Sequence, residues 1–429
     1  MPARQPQLTP AAVAAFVADR VFGAAADPHG LGVELEWLTS HGARDRRLPA
    51  TEATALIDGL SPLPAGSRLT LEPGGQLEIS SAPFRSIDEV CDATTADLAV
   101  VDRACEAQDV ELIALGADPI RPPERVTRAA RYRAMEHYFD QLGRAGRTMM
   151  CNTAAIQVNV GLGRSHQVSA RWRLANELGP TLIACFANSP FEGGLPSGWK
   201  SSRLRAWWAL DPTRSRPVPC DVDPVSAWVA YALDARVMFV HLDDERCLPV
   251  REPMSFGDWL DRGHDLGYPT EEDLRYHLTT LFPPVRPRGW LELRMFDTLP
   301  SPLWQVALAV AGSLLTDIEA MPEVRDAVSG TTDLWVDAAQ LGLAHPSLAR
   351  AGIAVFDLAL DGLHRARVSP ERIELVERYA DRWVRRARCP SDDRLDAWRA
   401  TGELFPSNES VDALAAPLTA PLTAPEAAR

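Results

Sequence analysis

Polar residues return at every second position in five short apolar stretches of this chain, at residues 32–37, 69–72, 76–79, 156–160 and 291–295. Successive side chains of a β-strand point to opposite faces. Read as strands, these stretches put Leu, Val, Ile and Met on one side and Glu34, Glu36, Glu72, Gln76, Glu78, Gln157, Asn159, Glu292 and Arg294 on the other. Residues 68–72 and 76–80 flank Pro73-Gly74-Gly75, a three-residue loop suited to a β-hairpin. Such a loop sets Glu72 opposite Gln76 and Thr70 opposite Glu78.

Elsewhere the period is helical. It runs over residues 11–25, then through Ile87, Val90, Cys91, Leu98 and Val101, with Asp88 and Glu89 placed favourably at that helix's N-terminal end. It returns over 167–188 through Val168, Trp172, Leu178, Leu182 and Phe186. After residue 296 the pattern stays helical for roughly a hundred residues, over 302–320, 354–366 and 370–389, the last with Ile373, Val376, Tyr379, Trp383 and Val384 on one stripe. Residues 188–223 are rich in Pro, Gly and Ser, yet carry Lys200, Arg203, Arg205, Arg214 and Arg216 beside Trp199, Trp207 and Trp208. An ordered, cationic loop is expected there.

Hairpin-paired strands sharing one polar face, with helices between and after them, predict an α+β fold: an antiparallel sheet backed by helices. The expected organisation is an N-terminal helical segment (1–29), a sheet-and-helix core (30–300), a helical part of the same domain (301–410) and a disordered tail (411–429). The tail follows from the Pro-broken repeat PLTAPLTAP at 417–425, which cannot bury a core.

Composition narrows the function. With 429 residues and 46% hydrophobic content the chain can bury a large core, and its net charge of −14 argues against nucleic acid or an anionic membrane as partner. Lys200 is the only lysine, so the arginine richness reflects composition bias rather than nucleic-acid binding. The start lacks the basic and unbroken apolar regions of a signal peptide, and the most apolar later stretch, 302–320, holds Gln305, Ser313, Thr316 and Asp317, as a buried helix would. Seven scattered cysteines without a CxxC pair predict neither a disulfide framework nor structural zinc, which suits a reducing cytoplasm.

One Glu pair on a strand is ordinarily a solvated face. Five on one parity, with Arg294 the lone cation among them, are different: two carboxylates about 4 Å apart repel by roughly 4 kcal/mol at an effective dielectric near 20. Such a cluster needs cations or protons. All-oxygen ligation favours Mg²⁺ or Mn²⁺ over zinc, and such Mg²⁺ sites share the ion with substrate phosphates. No GxGxxG or Walker A sequence is present, so a nucleotide would be held otherwise. Gln157 and Asn159 suit ligand recognition as well as a wet surface, and Arg294 suits a transferring phosphoryl group as well as a salt bridge. Arg203 and Arg205, in a segment with glycines, suit capture of a carboxylate or phosphate. Trp290, Trp304 and Trp383 are expected in the core, and the histidines, lacking HxxxH or HExxH spacing, are assigned no metal.

LEPGGQLEIS-SAP (71–83), MMCNTAAIQVNV (149–160), FANSPF followed by GWKSSRLRAWWALDPTR (186–214) and WLELRMFDTLP (290–300) together resemble the plant-type glutamate–cysteine ligase family, and within it the actinobacterial branch serving ergothioneine synthesis. The resemblance spans roughly residues 30–300. It implies a glutamine-synthetase-like fold, a curved antiparallel sheet with helices on its outer face and ATP and metals on its concave one. It also implies ATP-dependent joining of L-glutamate and L-cysteine. On that resemblance Glu34, Glu36, Glu72, Glu78 and Glu292 would hold Mg²⁺ or Mn²⁺, Glu72 and Arg294 would be catalytic, and Arg203, Arg205, Gln157 and Asn159 would bind substrate or cofactor. Two departures bear on glutamate recognition: Gln157 stands where proteobacterial relatives have a metal-binding His, and Asn152 where plant enzymes have Arg. Another amine acceptor, or a non-catalytic binder with the same fold, are the alternatives. The sequence leaves the oligomeric state open, and a monomer is compatible with it.

Overall fold

The computed structural model describes residues 7–23, 27–60, 62–243, 245–250 and 252–405, so the tail expected at 411–429 lies outside them. In chain order the strands are β1 (Leu31–His41), β2 (Arg68–Leu71), β3 (Leu77–Ser80), β4 (Val110–Ile113) and β5 (Ala155–Gly161). Two small hairpins follow, β6 (Phe191–Glu192) with β7 (Leu195–Pro196) and β8 (Phe239–Asp243) with β9 (Arg246–Pro249), then β10 (Val285–Pro287) and β11 (Trp290–Asp297). One seven-stranded sheet runs β10-β11-β5-β1-β3-β2, with β4 paired to the far end of β1. Every pairing in it is antiparallel.

The period-two stretches are strands β1, β2, β3, β5 and β11 of this sheet, all but β2 flanked on both sides. Their apolar residues, among them Val33, Leu35, Ile156, Val158, Leu291 and Leu293, are each at most 1% exposed. Helices Val168–Phe186 and Trp304–Thr316 cover that side, and Pro346–Arg365 and Pro370–Arg382 pack behind them. Ile87–Ala107 begins with a reciprocal cap between Ser86 and Glu89, which satisfies amides the first turn leaves open. A β-bulge between Leu293 and Phe296 bends β11 where it leaves the register of β5. No single helix among the described residues is long and apolar enough to cross a membrane.

The structure departs from the sequence reading in several elements. The first helix is Pro10–Phe16, continued by a five-residue π-helix, Val17–Val21. The helix expected over 354–366 begins at Pro346, and the one expected over 370–389 ends at Arg382, followed by a 3₁₀ turn. The cationic segment is not an open loop. It folds into the β6–β7 hairpin and helices Ser202–Trp208 and Pro212–Ser215, started by the side-chain caps Ser201 and Asp211.

Candidate active site

The polar face of the sheet forms the floor of a cavity of about 1170 Å³. Its register brings the carboxylates together: Glu36 lies opposite Glu78, and Glu34 opposite Gln157. The hairpin closes as its loop requires, with Thr70 opposite Glu78 and the Glu72 amide donating to the Gln76 carbonyl at 2.9 Å. Glu34, Glu36, Glu72 and Glu78 all line the cavity, as do Gln157, Asn159 and Arg294.

The hairpin tip is fixed by close packing. Gly75 has φ +90°, and a Cβ on Gly74 would fall 2.1 Å from the Cys151 carbonyl oxygen, so the sequence Gly-Gly is needed here. The Gln76 side chain accepts from the Gly74 amide at 2.9 Å and donates to the Thr153 carbonyl at 2.8 Å. Arg47 Nη1 donates to the Gly74 and Cys151 carbonyls, each at 3.1 Å, and its Nη2 donates to Asn152 Oδ1 at 2.5 Å. Asn152 is therefore a buried brace behind the hairpin, not a residue of the cavity wall.

Gln157 and Asn159 bridge neighbours instead of facing water. Gln157 Nε2 donates to Glu36 Oε1 at 2.7 Å while its Oε1 accepts from Arg294 Nη1 at 2.5 Å, which fixes the amide's orientation. Asn159 repeats the device, donating to Glu34 Oε1 at 3.0 Å and accepting from the Trp290 indole at 3.0 Å. Glu36 also accepts the Ala155 amide at 2.9 Å. Even so, burial, reinforced by neighbouring carboxylates, pushes Glu34 and Glu36 up to about 7 and Glu72 well above the usual carboxylate range.

Glu292 is the opposite case. Its carboxylate, 0% exposed, accepts from Arg286 Nε at 2.5 Å and Nη2 at 2.9 Å, Arg288 Nη1 at 3.1 Å and Arg294 Nη1 at 3.0 Å. Despite burial, these guanidinium groups hold it well below the usual range. The expected metal ligand Glu292 is thus already neutralised, and a cation there would have to displace an arginine. It serves as counter-ion to the arginine group. Arg294 rests above the Trp207 ring at 5.4 Å, and its buried Nε has no hydrogen-bond partner among the described residues.

Two more expectations are corrected. Arg203 and Arg205 are not among the residues lining the cavity. Arg203 has a side chain only 2% exposed and paired with Asp297 at 2.8 Å, whereas Arg205 is 43% exposed and paired with Glu192 at 2.7 Å. The physical reason is the helix they share, which turns residues two apart to different sides. Trp304 and Trp383 are core, as expected, but Trp290 lines the cavity under Arg288, 5.3 Å from its ring.

Sequence reasoning missed Arg286 and Arg288, although their i, i+2 spacing beside Trp290 is a strand signal on the polar parity. It also missed the opposite wall, built from Tyr132, Met135, Met149, Met150, Trp207 and Phe282. All but Phe282, which follows helix Glu271–Leu278, sit on helices whose apolar spacing says only that they are buried.

The donor set suits a hard divalent cation: four carboxylates line one cavity, and burial makes the charged form of three of them costly, a cost that a bound cation would offset. Among the described residues, however, no group of three or more His, Cys, Asp or Glu converges as a ready-made metal site.

One antiparallel sheet face thus sets carboxylates, which a cation could bind, beside arginines, which an anion could bind, as a carboxylate-activating ligase would need. The chain belongs to glutamate–cysteine ligase family 2, whose model matches residues 30–366. It is 41% identical over 379 residues to the glutamate–cysteine ligase EgtA of Mycolicibacterium smegmatis, covering 87% of this chain and 88% of that one. It is 31% identical over 280 residues to chloroplastic glutamate–cysteine ligase B of Oryza sativa subsp. japonica, covering 62% and 55%. The fold is shared with the glutamate–cysteine ligase of Francisella tularensis in complex with AMP, at TM-score 0.54 and 14% identity over 87% of this chain and 85% of that one. A bifunctional glutathione synthetase from Pasteurella multocida aligns at TM-score 0.53 and 15% identity, over 88% of this chain and 51% of that one.

Proposed function

We propose that this cavity joins the γ-carboxyl of L-glutamate to the amine of L-cysteine at the expense of ATP. The chain is an ATP-dependent glutamate–cysteine ligase. A γ-carboxylate oxygen bonds to the terminal phosphorus of ATP as ADP leaves. The cysteine nitrogen then bonds to the acyl carbon, loses a proton, and phosphate departs with that oxygen. The product, γ-glutamylcysteine, would feed ergothioneine or a related thiol.

The observation that carries this reading is Arg294, held by Gln157 and Glu292 through Nη1 with its Nε–H unclaimed, across the same face from four carboxylates. Its fixed charge meets the negative charge that grows on the transferring phosphoryl oxygens, and no reorganisation is needed at that moment. Gln157 orients Arg294 and Glu36 together. The wall of Met149, Met150, Trp207 and Phe282 keeps water from the acyl phosphate. Glu34, Glu36, Glu72 and Glu78 would hold Mg²⁺ or Mn²⁺, which when bound neutralises the polyphosphate. All seven cysteines are free thiols, in keeping with a reducing cytoplasm.

The test is ADP release. It should require glutamate, cysteine and a divalent cation together, and should stop on chelation and resume on adding Mg²⁺. Release that ignores cysteine, or persists after exhaustive chelation, would contradict the acceptor or the cation respectively.

A further inference from the structure

Arg294 sits at the weakest point of its strand. The register of β11 against β5 pairs Leu293 with Val158 and next pairs Phe296 with Ile156, so Arg294 and Met295 are passed over. The Arg294 amide is instead bonded to the Pro284 carbonyl at 2.8 Å. Its carbonyl accepts from Arg203 Nη2 at 3.0 Å. A bulge aims a side chain, but without ladder bonds it needs other partners to hold that aim.

Those partners are buried and connected. Arg203 Nε donates to Asp297 Oδ1 at 2.8 Å, and the same oxygen accepts from Ser201 Oγ at 2.9 Å. Asp297 Oδ2 accepts from the Asn188 amide at 2.8 Å and from Ser189 Oγ at 2.7 Å. The Ser189 amide in turn donates to Ser391 Oγ at 3.1 Å, and Ser391 donates to the Lys200 carbonyl at 2.5 Å. Ser391 opens helix Pro390–Thr401, which lies beyond the stretch matching the family model and is also pinned by the Lys200–Asp392 ion pair at 2.5 Å. Arg203, Asp297, Ser189, Ser201 and Ser391 are each at most 2% exposed.

We propose that Arg203 and Asp297 are positioning residues that hold the bulge carrying Arg294, and that the C-terminal helix Pro390–Thr401 braces them through Ser391. Arg203 is too deeply buried to grip a substrate, and Asp297 spends both oxygens on four donors. In a buried network of this kind each member fixes the next, and loss of one arm frees the group it held. Displacing a catalytic group by about 1 Å can cost on the order of 100-fold in rate.

The part played by Arg294 rests on the ligase reading, so the test has two readouts. Arg203→Lys keeps a cation on Asp297 but loses the arm to the Arg294 carbonyl. Its kcat should fall by about 10- to 100-fold while KM for glutamate and for ATP each stay within about threefold. Ser391→Ala should show the same split, about 2- to 10-fold in kcat. A rise in the glutamate KM with kcat preserved would overturn the proposal in favour of a substrate clamp. Unchanged kcat with only a lower Tm would overturn it in favour of a purely structural network. Amide hydrogen exchange, which needs no turnover, should quicken over residues 293–297 in Arg203→Lys and not across the rest of the sheet. Unchanged exchange there overturns the positioning role even if the wild-type protein proves inactive, an outcome that would sink the ligase reading alone.

Discussion

Glu34, Glu36, Glu72 and Glu78 were legible one by one, because strand alternation is a local rule and each stretch shows it without help from its neighbours. Glu292 obeys the same rule yet is claimed by three arginines, two of them on and beside β10, a strand too short to announce itself. Arg203 and Arg205 were illegible for a related reason: on a helix, what a residue faces depends on packing that local sequence does not state. The consequences can be measured. Glu34→Gln and Glu72→Gln should fold normally, since each removes a charge that burial penalises, yet lose about 100-fold or more in kcat/KM for ATP-dependent turnover, in line with removal of a cation-holding or electrostatic group. Near-wild-type turnover of both would return these residues to mere structure. Arg205→Ala should stay within about twofold of wild type, as expected of an exposed ion pair. A large rise in the glutamate KM would show that Arg205 reaches the substrate after all.

Among elements, the β2–β3 hairpin was readable to the residue pair, because loop length alone sets its register. The long helices were readable too, though their ends moved by several residues where Pro or a cap intervenes. Ser202–Trp208 was hidden by the surrounding Gly and Pro, and the β11 bulge has no local sign at all. Helix Glu271–Leu278 supplies a prediction at this scale. His277 is buried, stacked on Phe256 at 4.6 Å and hydrogen-bonded through Nε2 to the Ala232 carbonyl at 3.0 Å, and burial pushes its imidazole down to about 3. The unfolded chain takes a proton near pH 6.5 that the folded protein refuses, so stability is lost as pH falls from about 6.5 toward 3, at about 1.4 kcal/mol per pH unit. Glu34 and Glu36, raised to about 7, act in the opposite sense between their unfolded values and pH 7, so the informative quantity is a difference. Between pH 6.5 and 5 the stability of wild type minus that of His277→Gln should decrease steadily as pH falls. A flat difference would mean that His277 is protonated in the fold.

For the whole molecule, the sheet's two faces divide the work: the apolar one is buried under helices that extend past the family-matched stretch, and the polar one lines the cavity to which we assign the chemistry. Alternation along single strands foretold that division. The wall opposite the carboxylates, and the buried links from the C-terminal helix to the β11 bulge, depend on contacts between residues far apart in the chain, so no local pattern revealed them. The central claim is that this face activates a carboxylate by phosphorylation. Glutamate labelled with ¹⁸O in its γ-carboxyl group tests it most directly, with cysteine, ATP and Mg²⁺ present and the released phosphate weighed by mass spectrometry. One ¹⁸O atom should appear in each phosphate formed from fully labelled glutamate, accompanied by ADP. Unlabelled phosphate, or release of AMP and pyrophosphate instead, would contradict the account.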